Sequence, residues 1–256
     1  MIKLKTLSDI KTMSKGGRIA SFAMKEVAKN IKPGITTLEL DKIANRIIKA
    51  RGACPSFLGY QGFPASICVS INDQLVHGIP SRQKICSGDI VKVDLGVFYE
   101  GFHTDMARTY IVGHIKKEEE ELVMACQKAL NAAISLVEPG NTVGDIEHAT
   151  GKTLKSSGLS PVMSLSGHGV GRDLHEEPSI FCDGLKRTKE KLVPGMVIAI
   201  EPMATAGSSK VRKGSDGWTI VTADGSLSVH FEDTVAVTDR GHRVLTRHGK
   251  PDNIFL

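Results

Sequence analysis

Four acidic residues stand among strand-forming neighbours: Asp94 in Val93-Asp94-Leu95-Gly96, Asp105 in Thr104-Asp105-Met106-Ala107, Glu201 in Ile200-Glu201-Pro202-Met203 and Glu232 in Phe231-Glu232-Asp233-Thr234. Gathered in one core, four carboxylates cannot all stay ionised without positive charge, because an unpaired buried charge is very costly. Two divalent cations supply that charge. Carboxylate oxygens with one imidazole suit Mn, Fe, Co or Zn. The imidazole candidate is His168, in Ser166-Gly167-His168-Gly169-Val170-Gly171, where the flanking glycines let the backbone approach closely. Two such metals can hold a bridging hydroxide and polarise a carbonyl, which is the chemistry of hydrolysis. His77, in Val76-His77-Gly78, and His175, in Leu174-His175-Glu176, each lie in a loop just before a strand. Both are candidate proton donors or ligands for polar groups of a substrate. His103 and His230 are read as structural, each on the side of its strand that carries an acid two residues away. Arg108 is read as the partner of an acid.

The first two acids belong to a hairpin. Ile90 to Phe98 and Phe102 to Val112 are rich in β-branched and aromatic residues, with Tyr99-Glu100-Gly101 between them. A two-residue loop at Tyr99-Glu100 puts Asp94 directly opposite Asp105, and a loop at Glu100-Gly101 makes them diagonal neighbours on the same face. A three-residue loop separates them unless a bulge intervenes. Opposed like charges destabilise a sheet, so the pair needs a cation, a shared proton or solvent.

The elements that position these residues occur twice. Apolar residues at helical spacing run over 7 to 31, and Pro33-Gly34 ends that helix. Thr36-x-x-Glu39 is a capping box opening a second helix, to about Ala50. A loop with short strands, rich in Gly, Pro and Ser, covers 54 to 80, and the hairpin follows. The second half repeats the order: a helix from about Glu118 to Val137, then Pro139-Gly140, then Thr142-x-x-Asp145 opening a helix to about Ser156. The loop with His168 and His175 comes next, then a strand over Met196 to Ile200 and a last strand over His230 to Val237. Pro33 and Pro139 are 106 residues apart, Gly88 and Gly195 are 107 apart, and Asp94 and Glu201 each stand six residues after that glycine. His103-Thr104-Asp105 resembles His230-Phe231-Glu232 at a larger offset of 127, which places an insertion of about 20 residues around the polar stretch Gly207 to Gly217. The expected fold is α/β (α+β), two pseudo-symmetric halves of about 1–117 and 118–256 around a central antiparallel sheet, fused into one catalytic domain over 1–256.

Composition bounds the rest. The 256 residues are 41% hydrophobic and 24% charged, with a net charge of +5, ordinary for a globular protein and mildly basic. Five cysteines are dispersed without a C-x-x-C pair, which excludes zinc-finger and thioredoxin-like readings. No signal-peptide run opens the sequence, and no apolar run approaches the roughly 20 residues of a membrane span. A reducing cytoplasm is the expected compartment.

Seven segments in order carry a family resemblance: His77-Gly78-Ile79-Pro80, Val93-Asp94-Leu95-Gly96, Thr104 to Thr109, Gly167 to Arg172, His175-Glu176-Glu177-Pro178, Ile200-Glu201-Pro202-Met203 and Phe231-Glu232-Asp233-Thr234. Together they resemble the type I methionine aminopeptidases, from the N-terminal helix to about residue 247. The resemblance implies the pita-bread fold and a dinuclear-metal aminopeptidase that removes the initiator methionine from nascent proteins with a small second residue. It implies two divalent ions drawn from Co, Mn, Fe, Zn or Ni. Asp94 would chelate one ion, His168 and Glu201 the other, and Asp105 and Glu232 would bridge them. A bridging hydroxide would attack the methionyl carbonyl, with Glu201 as general base. His175 would stabilise the tetrahedral intermediate, and His77 would contact the scissile amide or protonate the leaving nitrogen. The free α-amine would bind on the Asp94 side.

The loop Leu58 to Cys68 matches the family's methionine pocket, which the resemblance builds from Tyr60, Phe63, Cys68, His77 and Trp218. A thioether packs well against such rings. Three positions depart from the family pattern. Leu174 stands where an aromatic residue is common, Phe57 where a small residue is common, and Asp233 where histidine is frequent. Nascent N-termini are the expected partners, with a ribosome contact, no membrane and a monomeric chain. Two rivals share the fold: proline-specific relatives of the prolidase or aminopeptidase P kind, which usually carry a large N-terminal domain, and non-enzymatic modules that bind peptide or RNA, which typically lose metal ligands.

Overall fold

The computed structural model describes residues 2–249 and 253–256. Each long helix starts where a side chain satisfies the first free N–H groups. Helix α1 (Leu7–Ala28) is capped by Thr6 with Asp9, α2 (Thr37–Ala50) by Thr36 with Glu39, and α4 (Val143–Ser156) by Thr142 with Asp145. Helix α3 (Lys117–Ile134) opens on three glutamates, which the helix dipole favours. Helix α1 stops three residues before the sequence pattern does. Lys29 and Asn30 form a turn there ahead of Pro33.

The central sheet contains β1 (Cys68–Ile71), β2 (Ile90–Tyr99), β3 (Phe102–Ile111), β4 (Ser166–Gly169), β5 (Glu176–Phe181), β6 (Val197–Ile200) and β7 (Glu232–Thr238). Its order is β2-β3-β7-β6-β4-β5. Both β1 and the short strand Cys54–Pro55 pair with β2, and Gly241–Val244 pairs with β7. All of these pairings are antiparallel. The sheet is curled, and the two helix pairs pack against it as pseudo-symmetric halves of an α+β pita-bread fold. Val91, Val93 and Leu95 pack with Met24, Leu40 and Ile48 of the first pair, while Ile198, Val235 and Val237 pack with Leu130 and Ile146 of the second. Strand alternation then turns Asp94, Asp105 and Glu232 to the opposite face.

The hairpin turn lies at Glu100-Gly101, one residue later than the register that would set Asp94 directly across from Asp105. Tyr99 pairs with Phe102, Asp94 with Ala107 and Asp105 with Gly96, so the two acids are diagonal neighbours on one face. The reason is steric. Both central residues have positive φ, Glu100 at 48° and Gly101 at 87°. Such a turn favours glycine, and the alternative would have forced bulky Tyr99 into that region. The expected last strand is also two strands. Ser228–His230 pairs with Met203–Thr205 in a separate small sheet, and the chain crosses at Phe231 into β7. The insertion folds as a hairpin of Val211–Lys213 with Ile220–Thr222, laid against Gln74–Val76. Among the described residues, no helix is long and apolar enough to cross a membrane.

Candidate metal centre and substrate cavity

Register assembles the acids. Asp94 on β2 and Glu232 on β7 both pair with Ala107 of β3, from opposite sides, and Asp105 lies two residues before it on the same face. The methyl group of Ala107 leaves space between the carboxylates. Glu201 follows the end of β6, and His168 on β4 pairs with Ala199 of β6. Donor atoms of Asp105, His168 and Glu232 lie within 4.8 Å of one another, and so do those of Glu201, His230 and Glu232. The two triads share Glu232. Nε2 of His168 is 3.7 Å from Oε1 of Glu201.

Several buried atoms here have no hydrogen-bond partner among the described residues: Oδ1 of Asp94, Oδ1 of Asp105, Oε1 of Glu232 and both ring nitrogens of His230. Leaving such atoms unpaired is expensive. Burial, with mutual repulsion added for Asp94, Glu201 and Glu232, pushes all four carboxyls above their ordinary range, Asp105 to about 7. The imidazoles respond in the opposite sense. Burial pushes His168 down to about 3, with His175 adding to the effect. Nδ1 of His168 lies 2.9 Å from the Gly169 carbonyl. A carbonyl only accepts, so Nδ1 carries the proton and Nε2 keeps its lone pair toward the acids. Converging orphaned oxygens around a neutral imidazole fit hard-to-borderline divalent cations.

His230, read as structural on the acid-bearing side of its strand, borders this centre. Nε2 is 3.2 Å from Oε2 of Glu201, without a hydrogen bond between them. Burial pushes it down to about 3, with His77 and Lys92 contributing. The chain crossing at Phe231 brings this ring to Glu201. His103 turns away instead, with Nδ1 2.9 Å from the Ser56 hydroxyl and its ring against Phe98.

On the other face, Nη2 of Arg108 donates to Asp233 at 2.8 Å and Nη1 to the Glu232 carbonyl at 2.6 Å. Asp233 also accepts from Arg247 and from Thr246. The Asp233 carboxylate is therefore spent on the helix side of the sheet and reaches the acids only through the backbone it holds. Lys92 is a further buried group that the sequence reading missed. Its Nζ donates to the carbonyls of Asn72 and Ser228 at 2.6 and 3.1 Å, and so pins the strand that carries His230.

Beside the acids lies a cavity of about 150 Å³, roughly the size that holds a benzene-sized guest. Phe57, Tyr60, Phe63, Cys68, Leu174 and Trp218 form its apolar wall, and His77 and His175 reach it as well. Phe63 meets Trp218 edge-on, with centroids 5.2 Å apart. Asp216 holds the Trp218 turn through the backbone N–H groups of Trp218 and Thr219, both at 2.9 Å. Phe57 fits because residue 96 is glycine. A Cβ there would lie 2.7 Å from Ser56 Cβ and 2.9 Å from the Phe57 ring. Nδ1 of His175 is 2.8 Å from the Tyr60 hydroxyl, and its ring centroid is 4.3 Å from that of His168. His77, at φ 58°, is exposed, so solvent screens the fall in pKa that lost hydration and His175 impose on it.

The model of metallopeptidase family M24 matches residues 11–239. Methionine aminopeptidase 1 of Bacillus subtilis is 45% identical over 247 residues, 96% of this chain and 100% of that protein. The chain belongs to metallopeptidase family M24. Within that family its likeness is to the type I methionine aminopeptidases. The crystal structure of methionine aminopeptidase from Thermotoga maritima superposes with a TM-score of 0.95 at 41% identity, over 97% of this chain and 100% of that one. Prolidase from Pyrococcus furiosus, also similar, gives 0.79 at 26% identity, over 96% of this chain and 66% of that one. The M24 fold thus places all eleven residues singled out from the sequence around one cavity: Asp94, Asp105, His168, Glu201, Glu232, His77, His175, Tyr60, Phe63, Cys68 and Trp218.

Proposed function

We propose that this chain is a dinuclear-metal aminopeptidase that removes the N-terminal methionine from nascent polypeptides with a small second residue. The triad of Asp105, His168 and Glu232, with Glu201 3.7 Å from His168 and the unpaired Asp94 oxygen on the same face, carries the reading together with the apolar cavity beside it. Asp94, Asp105, His168, Glu201 and Glu232 would hold two divalent ions. When bound, the ions supply Lewis-acid polarisation of the scissile carbonyl and bring the pKa of water toward neutrality. A donor set rich in oxygen accepts Mn, Fe, Co, Ni or Zn, and availability selects among them.

The chain's own residues do the rest. Tyr60, Phe63, Cys68 and Trp218 enclose the methionine side chain, aromatic rings and sulfur suiting a thioether. Glu201, beside the scissile bond, would take the proton of the attacking water. The Tyr60 hydroxyl lies 2.8 Å from Nδ1 of His175, and the tautomer in which it donates there leaves Nε2–H to donate to the oxygen that gains charge. His77, at the mouth of the cavity, contacts the scissile amide and its leaving nitrogen. Asp94 marks the end of the site that takes the free α-amine. Dispersed free cysteines support work in the cytoplasm, and a mild positive charge suits a place near the ribosome.

A peptide panel tests the reading. Metal-reconstituted protein is offered Met-Ala-Ser, Ala-Pro-Ala and Ala-Pro, with and without chelator. Chelator-sensitive release of methionine alone is expected. Cleavage only before proline would assign the chain to prolidase-like chemistry, and no cleavage with any divalent ion would leave a binding module.

A further inference from the structure

The turn that carries His175 is held from outside the site. Residues 2 to 6 lead into α1, and the Lys5 N–H donates to the Gly195 carbonyl at 2.8 Å. The Lys5 side chain then runs inward to Glu176, with Nζ 2.6 Å from Oε2 and the two side chains 5% and 3% exposed. The second oxygen of Glu176 accepts the Asp173 N–H at 3.2 Å. Gly171 closes the same loop by donating to the Asp173 carbonyl at 3.1 Å. Leu174 and His175 are the two residues between these anchors. Glycine at 171 makes the passage for the lysine. A Cβ there would sit 2.3 Å from Cε of Lys5 and 2.8 Å from Oε1 of Glu176.

A buried ion pair is a poor stabiliser, since its desolvation offsets most of its attraction and apolar replacements are often neutral. What such a pair does supply is a fixed geometry. Lys3 makes the contrast: it pairs with Asp173 of the same turn, but the two side chains are 58% and 62% exposed, where a pair contributes little.

We propose that the buried Lys5–Glu176 pair is a positioning device for His175, so that the segment leading into α1 sets the geometry of the proton-donating end of the site. The inference rests on the aminopeptidase reading above for its kinetic consequence. Its structural consequence is independent of turnover.

The test is a cycle with Lys5→Met and His175→Ala in the metal-loaded protein. Lys5→Met lowers kcat on Met-Ala-Ser by about 10- to 100-fold with KM little changed, the scale set by a misplacement of about 1 Å at a reacting centre. In the His175→Ala background the same change has no further effect. Lys3→Met stays within about twofold of the parent. In NMR spectra, Lys5→Met moves the His175 ring resonances and leaves those of His114 in place. If Lys5→Met does not fold, Glu176→Gln is read through the same cycle and spectrum. Unchanged kcat with unmoved His175 resonances would overturn the proposal. So would an equal loss of kcat with and without His175, the mark of a general structural defect. A parent protein that released no methionine would refute the aminopeptidase reading, and the His175 resonances would still decide this one.

Discussion

Replacing Asp105 by asparagine has opposite effects on the metal-free and metal-loaded protein. In the metal-free protein burial raises the Asp105 carboxyl to about 7, against about 3.9 for an unfolded aspartate. A group whose folded pKa is raised binds more protons folded than unfolded, so its contribution falls as pH rises from about 4 through 7. Three units correspond to about 4 kcal/mol of destabilisation at pH 8, and to about 1 to 2 kcal/mol at pH 5. Asp105→Asn removes that charge and buries an amide costing about 1–3 kcal/mol in exchange. With chelator at pH 8 the variant is therefore more stable than the parent by about 1–3 kcal/mol, and at pH 5 the gain disappears. The depressed histidines act on both proteins alike, and relief of Asp94, Glu201 and Glu232 from repulsion by Asp105 adds to the variant's gain at pH 8. With divalent ion present the order reverses, because the variant loses a ligand and with it the stabilisation that binding gives the native state. The assay is thermal or urea unfolding of parent and variant at pH 5 and 8, chelated and metal-loaded, with metal content measured. A variant less stable than the parent in chelator at pH 8, or one that keeps full metal content and activity, would refute the reasoning.

Other perturbations have equally definite outcomes. His175→Ala lowers kcat by about 10²- to 10⁴-fold with a much smaller change in KM. An effect confined to KM in steady-state assays would assign the ring to ground-state binding. Arg108→Met leaves the buried Asp233 carboxylate with Arg247 and Thr246 alone. Because Arg247 still pairs with that charge, the loss is about 1.5–3 kcal/mol, several degrees in a melt of a chain this size, and an unchanged melt would contradict that role. Asp216→Ala frees the Trp218 turn and raises KM for methionyl peptides several-fold, with metal content unchanged. A normal KM would show that Trp218 is held by Phe63 instead.

Much of this molecule is legible because its signals are local. Thr36 with Glu39 and Thr142 with Asp145 announce helix starts through hydrogen bonds spanning three residues, and both are present. Strand alternation puts Asp94, Asp105 and Glu232 on one face in any register that keeps parity. The register itself depended on which residues accept positive φ, and Glu100 does so without being glycine. Strand parity puts His230 on the side of Glu232, but its approach to Glu201 depends on the crossing between two sheets at Phe231, which leaves no periodic trace. Asp233 and Lys92 find partners at Arg108 and Ser228, more than a hundred residues away in sequence. The insertion that interrupts the repeat carries Trp218 into the cavity wall, so the break in symmetry also serves the site.

The central claim is that these acids and His168 act by holding divalent ions for hydrolysis of an N-terminal methionyl bond. The most direct test is to titrate chelator-stripped protein with Mn²⁺ while following methionine release from Met-Ala-Ser and the bound metal per chain. Release that is absent without metal, rises with occupancy and is lost in Asp105→Asn is the predicted result. Undiminished release from protein verified as metal-free would contradict the account.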